Sequence, residues 1–309
     1  MIQSMPGFSA VITTMHAFVC KSVPNFLRRV VRKISNYIDS HSFRYFAGFF
    51  MVLVALFALT LPSAYVVESP GPTQDVLGKI SGSPVIRISG EGVKEHRDTG
   101  KLLMLTVSTS GVPGYEVPTL YALTSWMNPH RELIPREAVV PVGQTADAYE
   151  KESTHEMDDS QNVAQRVALR YAAEHLGIRN TKVKVRLRIE DIGGPSAGMM
   201  YTLGILDKLT PANETGGKTI AGTGTIEKSQ KVGAIGGIRL KMIAARRDGA
   251  TWFLAPQDNC DEVVGHVPAG LRVVRVNTID EAYKALKTIG SGHNVAALPN
   301  CNVKRNMHK

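Results

Sequence analysis

The 309 residues are enough for one large domain or two ordinary ones, and 43% apolar with 20% charged residues excludes a disordered or collagen-like chain. Three cysteines exclude a disulfide-dense scaffold and a four-cysteine zinc site. The net charge of +9 points to an acidic partner, and where that charge sits decides which one.

Over residues 1–44, Lys21, Arg28, Arg29, Arg32, Lys33 and Arg44 are opposed only by Asp39. A nucleic-acid binder needs a basic stripe across its folded domain. Here the cluster stops at an uncharged apolar run, residues 45–67, so the expected partner is a membrane and no nucleic acid is expected. The run exceeds the roughly 20 residues of a spanning helix, and a core helix seldom stays apolar on every side for so long. A cleaved signal peptide is the rival reading. The basic leader is too long for it, and Pro62-Ser63-Ala64 is a poor cleavage site. The basic flank is expected in the cytoplasm, with everything after Glu68 outside it. Residues 26–38 read either as a basic amphipathic helix on anionic lipid or as a solvated flank. Cys260 and Cys301 would share the oxidising side, where a bridge and two unpaired thiols both remain open.

Residues 68–83 are rich in Gly, Pro and Ser and read as a stiff linker. Strands are expected at 85–88 and 102–108. The prolines at 113, 118, 129, 135 and 141 suggest loops around a short helix near 120–127. Val163, Ala164, Val167, Ala168, Tyr171, Ala172 and Leu176 recur at helical spacing after Ser160, and Gly177 ends the pattern. Val183, Val185, Leu187 and Ile189 alternate with charged residues, the mark of a half-buried strand over 182–190. A helix follows at 199–208 and another at 238–248. Strands at 251–255 and 271–276 come next, then a helix at 279–289 capped by Thr278 or Asp280. The tail from Gly290 reads as disordered. Irregular alternation of strands and helices makes the class α+β.

Several motifs fail. Gly222 to Ser229 nearly spells a phosphate loop, but Glu227 would repel phosphate. His155-Glu156 begins a zinc-protease motif whose second histidine position is Asp159. No cofactor and no metal are expected. Gly194-Pro195-Ser196-Ala197-Gly198 matches the G-x-S-x-G elbow, between a strand and a helix N-terminus whose free N–H groups can hold an oxyanion. A histidine partner is hard to find, since His266 sits in a loop and His293 and His308 in the tail. A neutral lysine can replace it. Lys241 is flanked on its helix face by Ile238, Ala244 and Ala245, so it either snorkels or is desolvated, and desolvation lowers an ammonium pKa. Thr223 could hydrogen-bond the amine.

The segments Gly-Pro-Ser196-Ala-Gly, Ala-Gly-Thr223-Gly and Ile-Gly-Gly-Ile-Arg-Leu-Lys241-Met-Ile-Ala-Ala-Arg occur in this order. Together they resemble the proteolytic domain of Lon proteases, and within it the membrane-anchored, PDZ-containing Lon-like proteins of Gram-positive bacteria. The resemblance covers about residues 68–289. It implies the Lon proteolytic fold, Ser196 as nucleophile, Lys241 as general base, Thr223 as the residue orienting the lysine, and assembly into a ring. Asp191 is the acid preceding the serine, although the pattern often has one closer, where this chain has Gly193. The chain departs from the family in showing neither an ATPase module nor room for a PDZ domain between the 160–176 helix and the 182–190 strand.

The expected organisation is a cytoplasmic tail (1–44), a transmembrane helix (45–67), a linker (68–83), a Lon-like proteolytic domain (84–289) and a disordered tail (290–309). The expected function is a membrane-anchored, ATP-independent Ser-Lys endopeptidase acting on extracytoplasmic protein or peptide segments. An inactive peptidase fold serving as a membrane scaffold is the alternative, and a Ser-His esterase using His266 is a further rival.

Overall fold

The computed structural model describes residues 25–91, 93–178, 182–188 and 193–301. The chain divides into two compact units, residues 1–61 and 62–309.

In the first unit, α1 (Asn25–Asp39) presents Phe26, Val30, Ile34 and Tyr37 at helical spacing, interleaved with Arg28, Arg29, Arg32 and Lys33. Next, α2 (Phe43–Thr60) is 18 residues long and buries none of them. It is long and apolar enough to cross a membrane. The helix stops seven residues before the expected end at Val67. Pro62 disfavours a helical residue before it, and Leu61 is accordingly extended.

The second unit opens with β1 (Tyr65–Asp75), β2 (Lys79–Ile80), β3 (Ser83–Pro84), β4 (Ile86–Ser89) and β5 (Lys101–Ser110). Then come α3 (Thr119–Trp126), β6 (Glu132–Pro135), the one-turn α4 (Arg136–Val139) and the 30-residue α5 (Ala146–His175). They are followed by β7 (Lys184–Leu187), α6 (Gly198–Leu209), β8 (Thr219–Gly222), β9 (Thr225–Ile226) and β10 (Val232–Gly233). The chain continues through α7 (Ile238–Arg247), β11 (Trp252–Pro256), the short α8 (Cys260–Val263), β12 (Arg272–Val276) and α9 (Ile279–Ser291).

Six strands form one mixed sheet in the order β12-β11-β8-β5-β1-β6. β12, β11, β8 and β5 run parallel, while β1 pairs antiparallel with both β5 and β6. Helices cover both faces, so successive residues of a strand enter opposite cores. Leu102, Met104, Ile220 and Leu254 pack with α5, α6 and α9, whereas Leu103, Leu105, Ala221 and Phe253 pack with α7. All twelve residues of α6 are buried, which suits a helix apolar on nearly every side. The class is α+β, as expected.

Three expectations are corrected. Residues 68–83 are not a linker, because β1 pairs with β5 in the main sheet through Asp75. Prolines normally argue against such a strand. Here β6 pairs only with Tyr65–Glu68, so Pro70 and Pro72 lie past the end of that pairing, and a register shift between Pro70 and Thr73 absorbs the irregularity. The helix expected from 160 begins at Ala146, where the Thr145 side chain accepts a bond from Ala148 N. Residues 290–301 are ordered: α9 runs to Ser291, Arg275 N donates to Pro299 O at 2.9 Å, and Cys301 is disulfide-bonded to Cys260. Residues 302–309 lie outside the described residues, as do 189–190 at the end of the expected 182–190 strand.

Candidate active site

Ser196 sits in the turn that opens α6, half-buried. α5 supports that turn. Ser160 Oγ donates to Pro195 O at 3.0 Å, and Gly194 N donates to Ser153 O at 3.2 Å. Among the described residues, the backbone N–H groups of Ser196 and Ala197 have no protein acceptor, the condition for an oxyanion site at a helix start.

Thr223 follows β8 directly and is buried. Its Oγ1 donates to Ser196 O at 3.2 Å, and Gly224 N donates to the same carbonyl at 2.9 Å. The single hydroxyl proton is thereby committed. Lys241 Nζ must then be the donor in its 3.4 Å contact with Thr223 Oγ1. Among the described residues no hydrogen bond joins Lys241 Nζ to Ser196 Oγ. The helix that carries Lys241 starts at Gly237, whose φ of +66° is left-handed. A Cβ there would stand 2.7 Å from Val107 Cγ1.

Lys241 is 2% exposed. Burial lowers its ammonium pKa from 10.5 to about 8, with Glu68 partly opposing the shift. Glu68 is itself buried on β1. Burial and Glu132 push its carboxyl up, and Lys241 pulls it back down.

Ser196, Lys241 and Glu68 line one cleft of about 800 Å³. Its other walls are Thr106–Thr109 of β5, Tyr115, and Tyr149, Glu152, Ser153 and Glu156 of α5. The fold thus brings Ser196, Thr223 and Lys241 together. Sequence reasoning missed Glu68 and the α5 wall, because it took the first for linker and assigned no element to the residues of the second. The signal available for Glu68 was the apolar run of Tyr65, Val66 and Val67 just before it. Asp191 lies outside the described residues. His266 is exposed, with its Nδ1 against Val264 O at 3.1 Å, and does not line the cleft. His155 pairs with Asp159 at the surface. Among the described residues no cluster of His, Cys, Asp or Glu is placed to hold a metal.

Residues 151–288, somewhat under half of the chain, match the family described as the Lon protease (S16) C-terminal proteolytic domain. Over these residues the chain is similar to the proteolytic domain of Lon proteases. Relatives include the Lon protease of Azospirillum brasilense, 36% identical over 94 residues, 29% of this chain and 11% of that protein. The Lon protease of Clostridioides difficile is 36% identical over 91 residues, 28% of this chain and 11% of the relative. Lon protease 2 of Herpetosiphon aurantiacus is 31% identical over 141 residues, 41% of this chain and 17% of the relative. The chain thus spans only a small part of the length of these curated relatives. The Lon-type domain supports a serine-protease type of function. Glu68 and the β5 wall of the cleft lie outside the matched residues.

Proposed function

We propose that this chain is a membrane-anchored serine endopeptidase that uses Ser196 as nucleophile and Lys241 as general base. The observation that carries the reading is a buried amine in the same cleft as Ser196, with one N–H directed to Thr223 and its pKa lowered by burial. In the neutral amine the lone pair is left to take the Ser196 proton. The alkoxide attacks a peptide carbonyl, and the N–H groups of Ser196 and Ala197 hold the oxyanion. The lysine returns its proton to the leaving amine, and water then releases the acyl group. Thr223 holds the amine and the serine backbone in one frame and is a positioning residue.

The pairing of β8 with β5 ends at Met104, while Thr106–Thr109 line the cleft. That arrangement favours an extended substrate segment held by strand addition. The anchor reading draws on α2, which at 18 residues extends about 27 Å, close to the hydrocarbon thickness of a bilayer. The basic residues before it favour a cytoplasmic N-terminus and an extracytoplasmic peptidase domain. Cleavage without ATP is part of the proposal.

The test is casein-type digestion, with and without ATP, by wild type, Ser196→Ala and Lys241→Met, alongside labelling by a fluorophosphonate. Wild type should cleave and label equally well in both conditions. Each variant should lose at least a hundredfold, on the order of 3 kcal/mol in the barrier. Activity retained by either variant would overturn the dyad. A folded wild type that neither cleaves nor labels would favour the scaffold reading.

A further inference from the structure

α3 is a short helix without a charged residue, Thr-Leu-Tyr-Ala-Leu-Thr-Ser-Trp. It buries Ala122 and Ser125. Leu120, Leu123, Trp126 and Met127 are nevertheless 51%, 49%, 78% and 81% exposed. Positions 120, 123 and 127 form one helical stripe, with 126 beside it. A helix facing water normally turns polar residues outward. Four large apolar side chains on one short face therefore require a covering partner.

The chain path identifies that partner. Ser63 N donates to Val117 O at 2.8 Å, and Pro62 bridges to Pro118, so α3 begins beside the residues that directly follow α2 in sequence. If α2 crosses the hydrocarbon, Thr60 ends at its boundary and Pro62 lies in the headgroup region. α3 is eight residues long, about 12 Å, so every residue of it lies within that distance of its start beside Pro62. Tryptophan is the side chain most suited to this layer.

We propose that the outer face of α3 inserts into the bilayer interface next to the anchor. The proposal rests on the membrane-anchored reading above. It gives the peptidase domain a second, non-covalent attachment and so restricts its tilt over the lipid.

The chain has two tryptophans, Trp126 and the buried Trp252. The full chain is reconstituted in vesicles of phosphatidylcholine and phosphatidylglycerol with brominated acyl chains, as Trp252→Phe. The signal of Trp126 is obtained independently as wild type minus Trp126→Phe, in case the first variant folds poorly. Flotation is measured on the same samples. The expected result is blue-shifted Trp126 emission, quenched at least twofold by brominated lipid at every protein density. Flotation with a water-like, unquenched Trp126 overturns the interfacial face and leaves the anchor standing. A blue shift that grows with protein density and ignores bromine overturns it in favour of a second copy. Loss of flotation removes the anchor reading and this inference with it.

Discussion

Burial sets how readily Lys241 loses its proton, and a single carboxylate opposes it. Burial drives the amine down to about 8, and Glu68 is the charge that resists. A general base works deprotonated, so turnover should rise with pH through the lysine pKa. Glu68→Gln removes the resisting charge and should move the midpoint of the rise in kcat to lower pH, by about half a unit to one unit. A kcat–pH profile of the two proteins checks this, and an unmoved or raised midpoint contradicts it. Glu68 was not legible in the sequence because Pro70, Gly71 and Pro72 advertise a linker. What makes it a cleft residue is the pairing of β1 with β5, a contact between segments far apart in the chain. Ser196 and Lys241 were legible because each carries a local signature, a glycine-flanked serine at a helix start and a lysine within an apolar helix face. That Thr223 joins them is a property of the fold, since β8 has to deliver it between the two.

At the level of elements, the turn before α7 is clamped from the neighbouring segment. Asn259 is buried, accepts from Ile235 N at 2.9 Å and donates to Ile235 O at 2.8 Å. Gly236 then lines the cleft and Gly237 starts the helix bearing Lys241. Asn259→Ala leaves both groups of Ile235 unpaired, a cost of about 1–3 kcal/mol. The expected outcome is a lower midpoint in chemical denaturation together with a fall in kcat larger than any change in KM. Unchanged kcat in a destabilised variant would assign Asn259 to stability alone. The same scale shows why α5 was half missed. Residues 146–159 are largely polar and offer little apolar periodicity, so the pattern emerges only where α5 meets α6 beyond Ser160. The overlooked half supplies Tyr149, Glu152, Ser153 and Glu156 to the cleft, so the pocket wall was lost with it.

Across the whole molecule, the Cys260–Cys301 disulfide closes a loop with a sequence separation of 41. It ties the last described segment to the strand and helix beside the Asn259 clamp. Closure of that length restricts the unfolded chain by about 4 kcal/mol. Cys301→Ser, or wild type in a reducing buffer, should therefore unfold at clearly lower denaturant, with little change in kcat under native conditions. Equal denaturation midpoints with and without reductant would contradict the bridge. The sequence left bridge and free thiols open because spacing alone says nothing of approach, and the tail reads as disordered because what holds it, Cys260 and Arg275, lies elsewhere in the chain.

One consequence follows from the absence of slack between α2 and β1. Glu68 stands eight positions past Thr60, and a taut polypeptide covers at most about 28 Å over that count. On the membrane-anchored peptidase reading proposed above, a bilayer holding the end of α2 would therefore set a cutting radius. Tails and loops of neighbours rooted in the same layer would meet the cleft at high local concentration. A compact partner held farther out would go uncut, however vulnerable its own sequence.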